Sequence, residues 1–210
     1  MTQDSSLTRA ERNRQQLRAD IIQAAFEEFA ARGYHQTAIA DIARRLGIGH
    51  GTFYRYFDNK RDILEQVISD AMARIMGALA EENAPGAATN LADYREQIAR
   101  ISNRLTGILS ENPAMGRLLL LEATSIDPEM TERVLNLMDW AGQLTAAYME
   151  NGVRLGFFRP DLDAQATGHA VVGMIMGGVL RYLRRPDDRE DQKRMGEAMQ
   201  RLLVDGVALH

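Results

Sequence analysis

The sequence predicts an all-α protein, and three observations support this fold class. Apolar residues recur at spacings of three and four along almost every segment, which is the repeat of an amphipathic helix. The sequence contains no convincing run of strict alternation or of β-branched residues, the patterns typical of strands. Capping residues and glycine stops also divide the chain into helix-sized pieces.

The first two helices are marked by apolar stripes that end at glycines. Gly33 follows the first stripe, where a helix commonly stops. Thr37 is placed to cap a second helix, whose stripe runs from Ile39 to Leu46 and which Gly47 closes. The stripe of the first helix consists of Leu17, Ile21, Ile22, Ala25, Phe26 and Phe29.

Seven further helices complete the expected architecture of nine. One short helix must fit between Gly49 and about Phe57, and Asn59 with Asp62 resembles a capping box that begins the next. Prolines occupy the favoured first position of two others. The expected ranges are Asn59 to about Glu82, Asn90 to Ser110, Pro113 onward, Pro128 to Val153, Asp163 to Leu183, and Asp188 to Val207.

The composition disfavours an enzyme and a membrane protein. The chain has no cysteine, and His35, His50, His169 and His210 lie in separate segments without metal-ligand spacing. We therefore expect no cofactor and no metal site. The N-terminus lacks the apolar core of a secretory signal, and the longest apolar run, Ala170 to Leu180, is too short to cross a bilayer. We expect a cytoplasmic protein with no membrane partner.

Charge is distributed unevenly along the chain. The net charge is −4, yet residues 1–60 hold nine Lys/Arg and seven Asp/Glu, which gives +2 there and −6 in the remainder. A mildly basic first segment suggests a localised anionic partner.

The stretch GIGHGTFYRYFDNK, from Gly47 to Lys60, predicts a helix-turn-helix unit whose second helix enters the major groove of DNA. At about 100° per residue, Phe53 and Phe57 face the neighbouring helices and Tyr56 borders that arc. The residues on the outer face are His50, Gly51, Thr52, Tyr54 and Arg55.

The outer face carries the chemistry that DNA binding needs. His50 and Arg55 could reach base edges, Gly51 permits close approach of the backbone, and Lys60 adds a charge for phosphate. The neutral donors suited to phosphate oxygens are Thr52, Tyr54 and Tyr56. The alternative interpretation is that His50 and Arg55 are solvated surface residues on a helical hairpin.

The segment RADIIQAAFEEFAARGYHQTAIADIARRLGIGHGTFYRYFDNKRDIL, Arg18 to Leu64, resembles the DNA-binding domain of the TetR family of bacterial transcriptional regulators. The resemblance implies a DNA-binding domain over residues 1–60 and a ligand-binding and dimerisation domain over residues 61–210. It also implies that a small molecule lowers the affinity for DNA. One departure is Gly49, where the family commonly has serine or another polar residue.

The family's DNA contacts can be carried over by position. Residues matching positions near the bases are His50 and Gly51. Residues matching positions that usually hold phosphates are Thr37, Thr52, Tyr54, Tyr56 and Lys60. The expected partner is double-stranded DNA with a palindromic operator, bound by a dimer or by paired dimers.

The predicted helix from Asp163 to Leu183 is apolar nearly all round. A buried core helix would show the same pattern as a dimerisation helix, but the resemblance implies a homodimer formed by the last two helices. The candidate interface residues are Gly173, Met176, Gly177 and Leu180.

The effector site is weakly marked in the sequence. The chain contains eleven methionines, which could line an adaptable apolar pocket or simply belong to the core. The candidates for a pocket are Met76, Met115, Met138, Trp140, Tyr148 and Met174. The effector, expected to be small and apolar or amphipathic, stays unidentified.

Two alternatives to a ligand-released repressor remain. One is a related regulator that activates transcription or responds to a protein partner. The other is a helical protein with no role at DNA.

Overall fold

The computed structural model describes residues 8–111 and 113–208, without the side chains of Glu81, Met115 and Leu119. This part of the chain forms nine α-helices, and its only extended pairing is an isolated antiparallel bridge between Phe158 and Ala208. The all-α prediction is confirmed. The chain divides into two compact units, one ending at Ala73 and the other beginning at Arg74.

The first unit contains α1 (Arg9–Arg32), α2 (Ile39–Leu46), α3 (His50–Phe53) and most of α4 (Lys60–Ala78). A reciprocal capping box begins α1, in which Glu11 and Thr8 each bond the backbone N–H of the other. The predicted glycine stops are confirmed, because Gly33 and Gly47 follow α1 and α2 with φ of 83° and 66°.

The predicted cap of α2 is wrong. Ala38 is the N-cap, and the carboxylate of Asp41 accepts the backbone N–H of Ala38 at 3.0 Å. Thr37 is buried instead, and its hydroxyl donates to the carbonyl oxygens of Gly33 at 2.8 Å and of Glu28 at 3.2 Å. Thr37 therefore ties the α1–α2 turn to the last turn of α1.

The predicted third helix is shorter than expected. Regular α3 covers only His50–Phe53, and the chain continues in a tight turn in which Tyr56 N–H donates to Phe53 O at 2.9 Å. Four residues are too few for a helix to be stable by itself, so packing must hold α3 in place. The apolar core of this unit includes Ile21, Phe26, Phe29, Ile42, Phe53, Phe57, Ile63 and Leu64.

Ion pairs join α1 to α2 beside this core. The guanidinium of Arg45 pairs with both Glu27 and Glu28 of α1, and Arg32 pairs with Asp41 of α2 at 3.3 Å. These acidic residues hold α2 against α1.

The second unit begins within α4 and contains five more helices. They are α5 (Leu91–Glu111), α6 (Pro113–Arg117), α7 (Pro128–Arg154), α8 (Ala164–Arg184) and α9 (Arg189–Val207). Asp127, Asp163 and Asp188 cap α7, α8 and α9 through their side chains.

Two predicted helices of this unit differ in detail. The fourth helix ends at Ala78 instead of about Glu82, and a 3₁₀ turn follows at Glu81–Asn83. The helix beginning at Pro113 passes into a π-helical segment, Leu118–Glu122, and then a 3₁₀ turn, Ala123–Ser125. An added Cβ at Gly116 would lie 3.0 Å from Leu109, so this segment runs close to α5.

Helices α7 and α8 pack backbone against backbone. An added Cβ at Gly168 of α8 would lie 2.5 Å from the carbonyl oxygen of Gly142 and 2.6 Å from the nitrogen of Ala146. Gly142 in turn lies beneath the ring of His169. A side chain at Gly168 would therefore require a helix to move, whereas one at Gly142 would displace the ring of His169.

A histidine bonded to α7 lies at the same crossing. His169 Nδ1 lies 2.8 Å from the carbonyl oxygen of Gln165, and Nε2 lies 3.0 Å from the carboxylate of Asp139 on α7. Both neighbours are acceptors, so only the doubly protonated ring can donate to both. The carbonyl of Gln165 and then Asp139 accordingly raise the pKa of His169 above its ordinary value.

We predict that His169 makes stability depend on pH. Because its pKa is raised in the folded state, its contribution is fully present below the unfolded pKa of about 6.5 and is lost as pH rises through the folded pKa. The thermal midpoint of His169→Gln should therefore approach that of the wild type as pH increases above about 6.5. Asp139→Asn should weaken this pH dependence, and parallel curves for wild type and His169→Gln would contradict the prediction.

Candidate functional site

Helix α3 presents its polar residues to solvent. Phe53 and Phe57 are 0% and 2% exposed, whereas Tyr54 is 52% exposed. His50, Gly51 and Arg55 are exposed as well, and Thr52 and Tyr56 are partly exposed. The structure thus brings seven of the eight predicted DNA-contact residues to α3, the turn after it, and the first residue of α4.

The remaining predicted residue, Thr37, lies elsewhere. Its side chain is 2% exposed and its hydroxyl hydrogen is shared between two main-chain carbonyls. A phosphate contact by Thr37 stays a prediction.

Lys60 is held at the base of the α1–α2 turn. Its ammonium donates to the carbonyl oxygens of Tyr34 at 2.8 Å and Thr37 at 3.0 Å. The same nitrogen lies 4.2 Å from the centre of the Tyr34 ring, a cation–π arrangement. Burial lowers the pKa of Lys60 from its ordinary value. An ammonium has three N–H donors, so this arrangement leaves one donor for an anion.

Sequence reasoning missed the role of Tyr34. Its ring packs against Phe29 at 5.3 Å between centroids and supports the ammonium of Lys60 on the other side. Tyr34 and Lys60 are far apart in sequence, since Tyr34 lies in the α1–α2 turn and Lys60 begins α4. The only local signal was an aromatic residue immediately after the glycine that ends α1.

The predicted pocket residues differ in exposure. Met76 and Trp140 are exposed, whereas Met138 and Met174 are partly buried. Tyr148 is buried, and its hydroxyl donates to the carbonyl oxygen of Asn83 at 2.6 Å. The side chain of Met115 lies outside the described residues. The assignment of these six residues to an effector pocket stays a prediction.

A groove lies between the end of α4 and the second half of α5. Its volume is about 400 Å³, and the five predicted pocket residues with described side chains do not line it. Its lining combines two guanidinium groups, one acidic side chain and a small apolar surface. The lining residues are Arg74, Gly77, Ala78, Arg104, Gly107, Ile108 and Glu111.

The segment between α4 and α5, residues 79–90, is fastened to the helices beneath it by buried amides and a phenol. Gln97 donates to Ala84 O at 2.7 Å, and Asn151 donates to Ala88 O at 2.9 Å. Tyr148 adds its bond to Asn83, and burial raises the pKa of Tyr148 to about 12. We call residues 79–90 the strap.

The predicted dimer residues lie on one outward strip of α8. Gly173, Gly177 and Leu180 are exposed and Met176 is partly buried. An added Cβ at Gly173 or Gly177 would meet no atom within 4 Å. Gly178, which the prediction omitted, faces α9 instead, where an added Cβ would lie 3.0 Å from the sulfur of Met199.

Leu202 of α9 is a further apolar residue that the prediction omitted. It is 69% exposed, which is unusual for a leucine in a folded helix. The sequence signal was weak, since Leu202 stands in a predominantly polar helix.

The described residues contain neither a candidate metal site nor a helix that could cross a membrane. No three His, Asp or Glu side chains in residues 8–111 and 113–208 are grouped so that they could hold a metal ion. Within the same ranges, each helix is either too short or too polar to traverse a bilayer.

Comparisons with known proteins agree on one family of regulators. The family model described as bacterial regulatory proteins, tetR family, matches residues 21–67. The fatty acid metabolism regulator protein of Bacillus subtilis is 24% identical over 187 residues, which cover 89% of this chain and 93% of that protein.

Solved structures share the fold. The fatty acid degradation regulator FadR from Bacillus halodurans has a TM-score of 0.76 and 23% identity, over 90% of this chain and 95% of that chain. The transcriptional regulator FadR from Bacillus subtilis, solved in complex with stearoyl-CoA, has a TM-score of 0.74 and 23% identity. That match covers 91% of this chain and 99% of that chain.

Proposed function

Because the chain belongs to the TetR family of bacterial transcriptional regulators, we propose that it is a repressor that binds a palindromic operator as a homodimer. We further propose that a fatty acyl compound releases it from DNA. The protein acts in the cytoplasm and performs no catalysis of its own.

The orientation of α3 carries this proposal. Phe53 and Phe57 point inward, so His50, Tyr54 and Arg55 are exposed together on the outward side. An imidazole, a phenol and a guanidinium on one short helix and the turn that follows it suit base edges and phosphates in a major groove. A surface built only for solubility has no need to place an aromatic ring there.

These residues make two kinds of DNA contact, to phosphates and to bases. Thr52, Tyr54, Tyr56 and Lys60 hold phosphates and set the register of the protein on the duplex. His50, Gly51 and Arg55 lie against the bases. Thr37 supports the same surface, since its carbonyl oxygen accepts from the ammonium of Lys60.

The outward strips of α8 and α9 support a homodimer. Gly173 and Gly177 leave open space on α8, and Leu180 and Leu202 expose apolar side chains that water solvates poorly. A second copy would cover these residues around a two-fold axis. Two recognition helices would then lie about one turn of DNA apart, roughly 34–36 Å.

The proposed effector class follows from the relatives. Two similar regulators are named for fatty acid metabolism or degradation, and one was solved with stearoyl-CoA. The second unit offers compatible chemistry, because Arg74 and Arg104 flank a groove with an apolar floor beside the strap. A long acyl chain with a polar head has this mixed character.

We predict that the two lysines of the chain, Lys60 and Lys193, differ in their effect on DNA binding. Lys60→Met should weaken binding to every duplex and reduce the slope of log affinity against log salt by about 0.9, the loss of one phosphate contact. Lys193→Met is the matched control and should leave both quantities unchanged. The operator is first selected from random duplexes, and affinity is then measured by fluorescence anisotropy.

His50→Ala, tested on the same selected duplexes, should alter the preferred base at one position of each half-site. Equal affinity of the wild type for random and selected DNA would contradict the proposal.

We predict that stearoyl-CoA releases the protein from the selected operator. Affinity for DNA should fall as stearoyl-CoA is added, by about 5- to 150-fold at saturation, the usual range of allosteric coupling. Coenzyme A alone is the control for the charged head group. Tighter DNA binding with stearoyl-CoA would indicate an activator or corepressed regulator, and an unchanged affinity would exclude this effector.

We predict that Gly177→Arg produces monomers. The added side chain has open space in the isolated chain, so the fold should persist while the flat surface for a second copy is lost. Sedimentation should show a dimer for the wild type and a monomer for Gly177→Arg, with weaker operator binding. Leu155→Glu replaces an exposed leucine outside this strip and should remain dimeric. A monomeric wild type at micromolar concentration would remove the dimer from the proposal.

A further inference from the structure

Two buried polar atoms on α5 have no hydrogen-bond partner. They are the hydroxyl of Tyr94 and the side-chain carbonyl oxygen of Gln97, and each side chain is only 1% exposed. Nearly all buried polar groups in proteins are paired, because an unpaired group loses its bonds to water without compensation. Two such groups three residues apart lie on the same face of a helix. Together they form a buried polar pair, one donor and one acceptor, that the described chain leaves unbonded.

Neighbouring groups fix the positions of both side chains. The amide nitrogen of Gln97 donates to Ala84 O at 2.7 Å, which fixes the direction of the unpaired carbonyl oxygen. The ring of Tyr94 packs edge-on against Phe158 at 4.8 Å between centroids. Burial, and then the neighbouring Tyr148, raise the pKa of Tyr94 well above its ordinary value. The phenol is therefore a neutral donor at every physiological pH.

The strap is bonded to Gln97 of this pair and to residues that line the groove. Ala78, which lines the groove, accepts a hydrogen bond from the amide of Asn83 at 3.0 Å. Arg104, which lines it as well, pairs with Glu82 at 2.9 Å. Hydrogen bonds and an ion pair thus connect the strap both to Gln97 of the polar pair and to two residues that line the groove.

We propose that Tyr94 and Gln97 bind the polar group of the effector, a neutral group that accepts a hydrogen bond from the phenol and donates one to the carboxamide oxygen. This inference rests on the proposed function, because it assigns a place to the fatty acyl effector. Apolar side chains that pack against the core cluster containing Tyr94 suit the attached chain, among them Leu79, Leu91, Ile98, Leu105 and Leu144.

The hydrogen bonds that Tyr94 and Gln97 require restrict the chemical groups that the ligand can contain. A thioester carbonyl and an ionised carboxylate only accept hydrogen bonds, so neither satisfies Gln97. A protonated carboxyl group and a secondary amide both accept and donate. A fatty acid supplies the first, and the pantetheine arm of an acyl-CoA supplies the second.

Tyr94→Phe tests the assignment, because it removes one oxygen and preserves the ring. In the ligand-free protein the thermal midpoint should stay constant or rise, since the hydroxyl has no bond to lose. Affinity for stearate or stearoyl-CoA, measured by calorimetry, should fall about three- to tenfold, as expected for one lost hydrogen bond.

Tyr148→Phe is the matched control. Its hydroxyl has a partner in Asn83, so the ligand-free thermal midpoint should fall.

The probes distinguish the sources of the polar group. A loss confined to stearate identifies a carboxyl group, and a loss confined to stearoyl-CoA identifies the pantetheine amide. Equal affinities of wild type and Tyr94→Phe for both probes would overturn this assignment and leave the proposed function intact. A lowered ligand-free midpoint for Tyr94→Phe would overturn it too, because that is the mark of a bound water. If the wild type binds neither probe, the effector class itself is wrong.

Discussion

The burial of Phe53 and Phe57 is the constraint on which the recognition surface depends. Helix α3 has four residues, and a helix of that length does not persist in water by its own hydrogen bonds. Each buried phenylalanine contributes about 1.5–3 kcal/mol by leaving water, which is enough to hold so short a segment. Because the two rings can point in only one direction, they also decide that His50, Tyr54 and Arg55 point in the other.

The fold was largely predictable because its signals are local. Helix stops at Gly33 and Gly47, and caps at Asp127, Asp163 and Asp188, act within one turn of the chain. The errors arose where tertiary contacts override local preference. Thr37 is a favourable cap by type, yet its hydroxyl bonds two main-chain carbonyls instead, and Ala38 becomes the N-cap with its N–H bonded to Asp41. The helix from Pro113 changes to a π-helical segment where Gly116 runs close to Leu109.

The candidate sites were predictable to unequal degrees. The outward face of α3 follows from helical periodicity alone, since residues in so short a helix share one frame of reference. The support of Lys60 by Tyr34 joins residues from different elements, and no spacing rule relates them. The same holds for the strap, where Gln97, Tyr148 and Asn151 bond carbonyl oxygens far away in sequence. A sequence records donors and acceptors but not which of them remain unpaired.

The glycines of α8 serve two opposite purposes, and their separation has an evolutionary consequence. Gly168 is fixed by backbone contact with α7, whereas Gly173 and Gly177 border open space. Substitutions on the open side can therefore accumulate without disturbing the interior of the monomer. Duplicated copies of such a gene could diverge in self-recognition while each product still folds, so that sister regulators in one cell avoid forming mixed pairs.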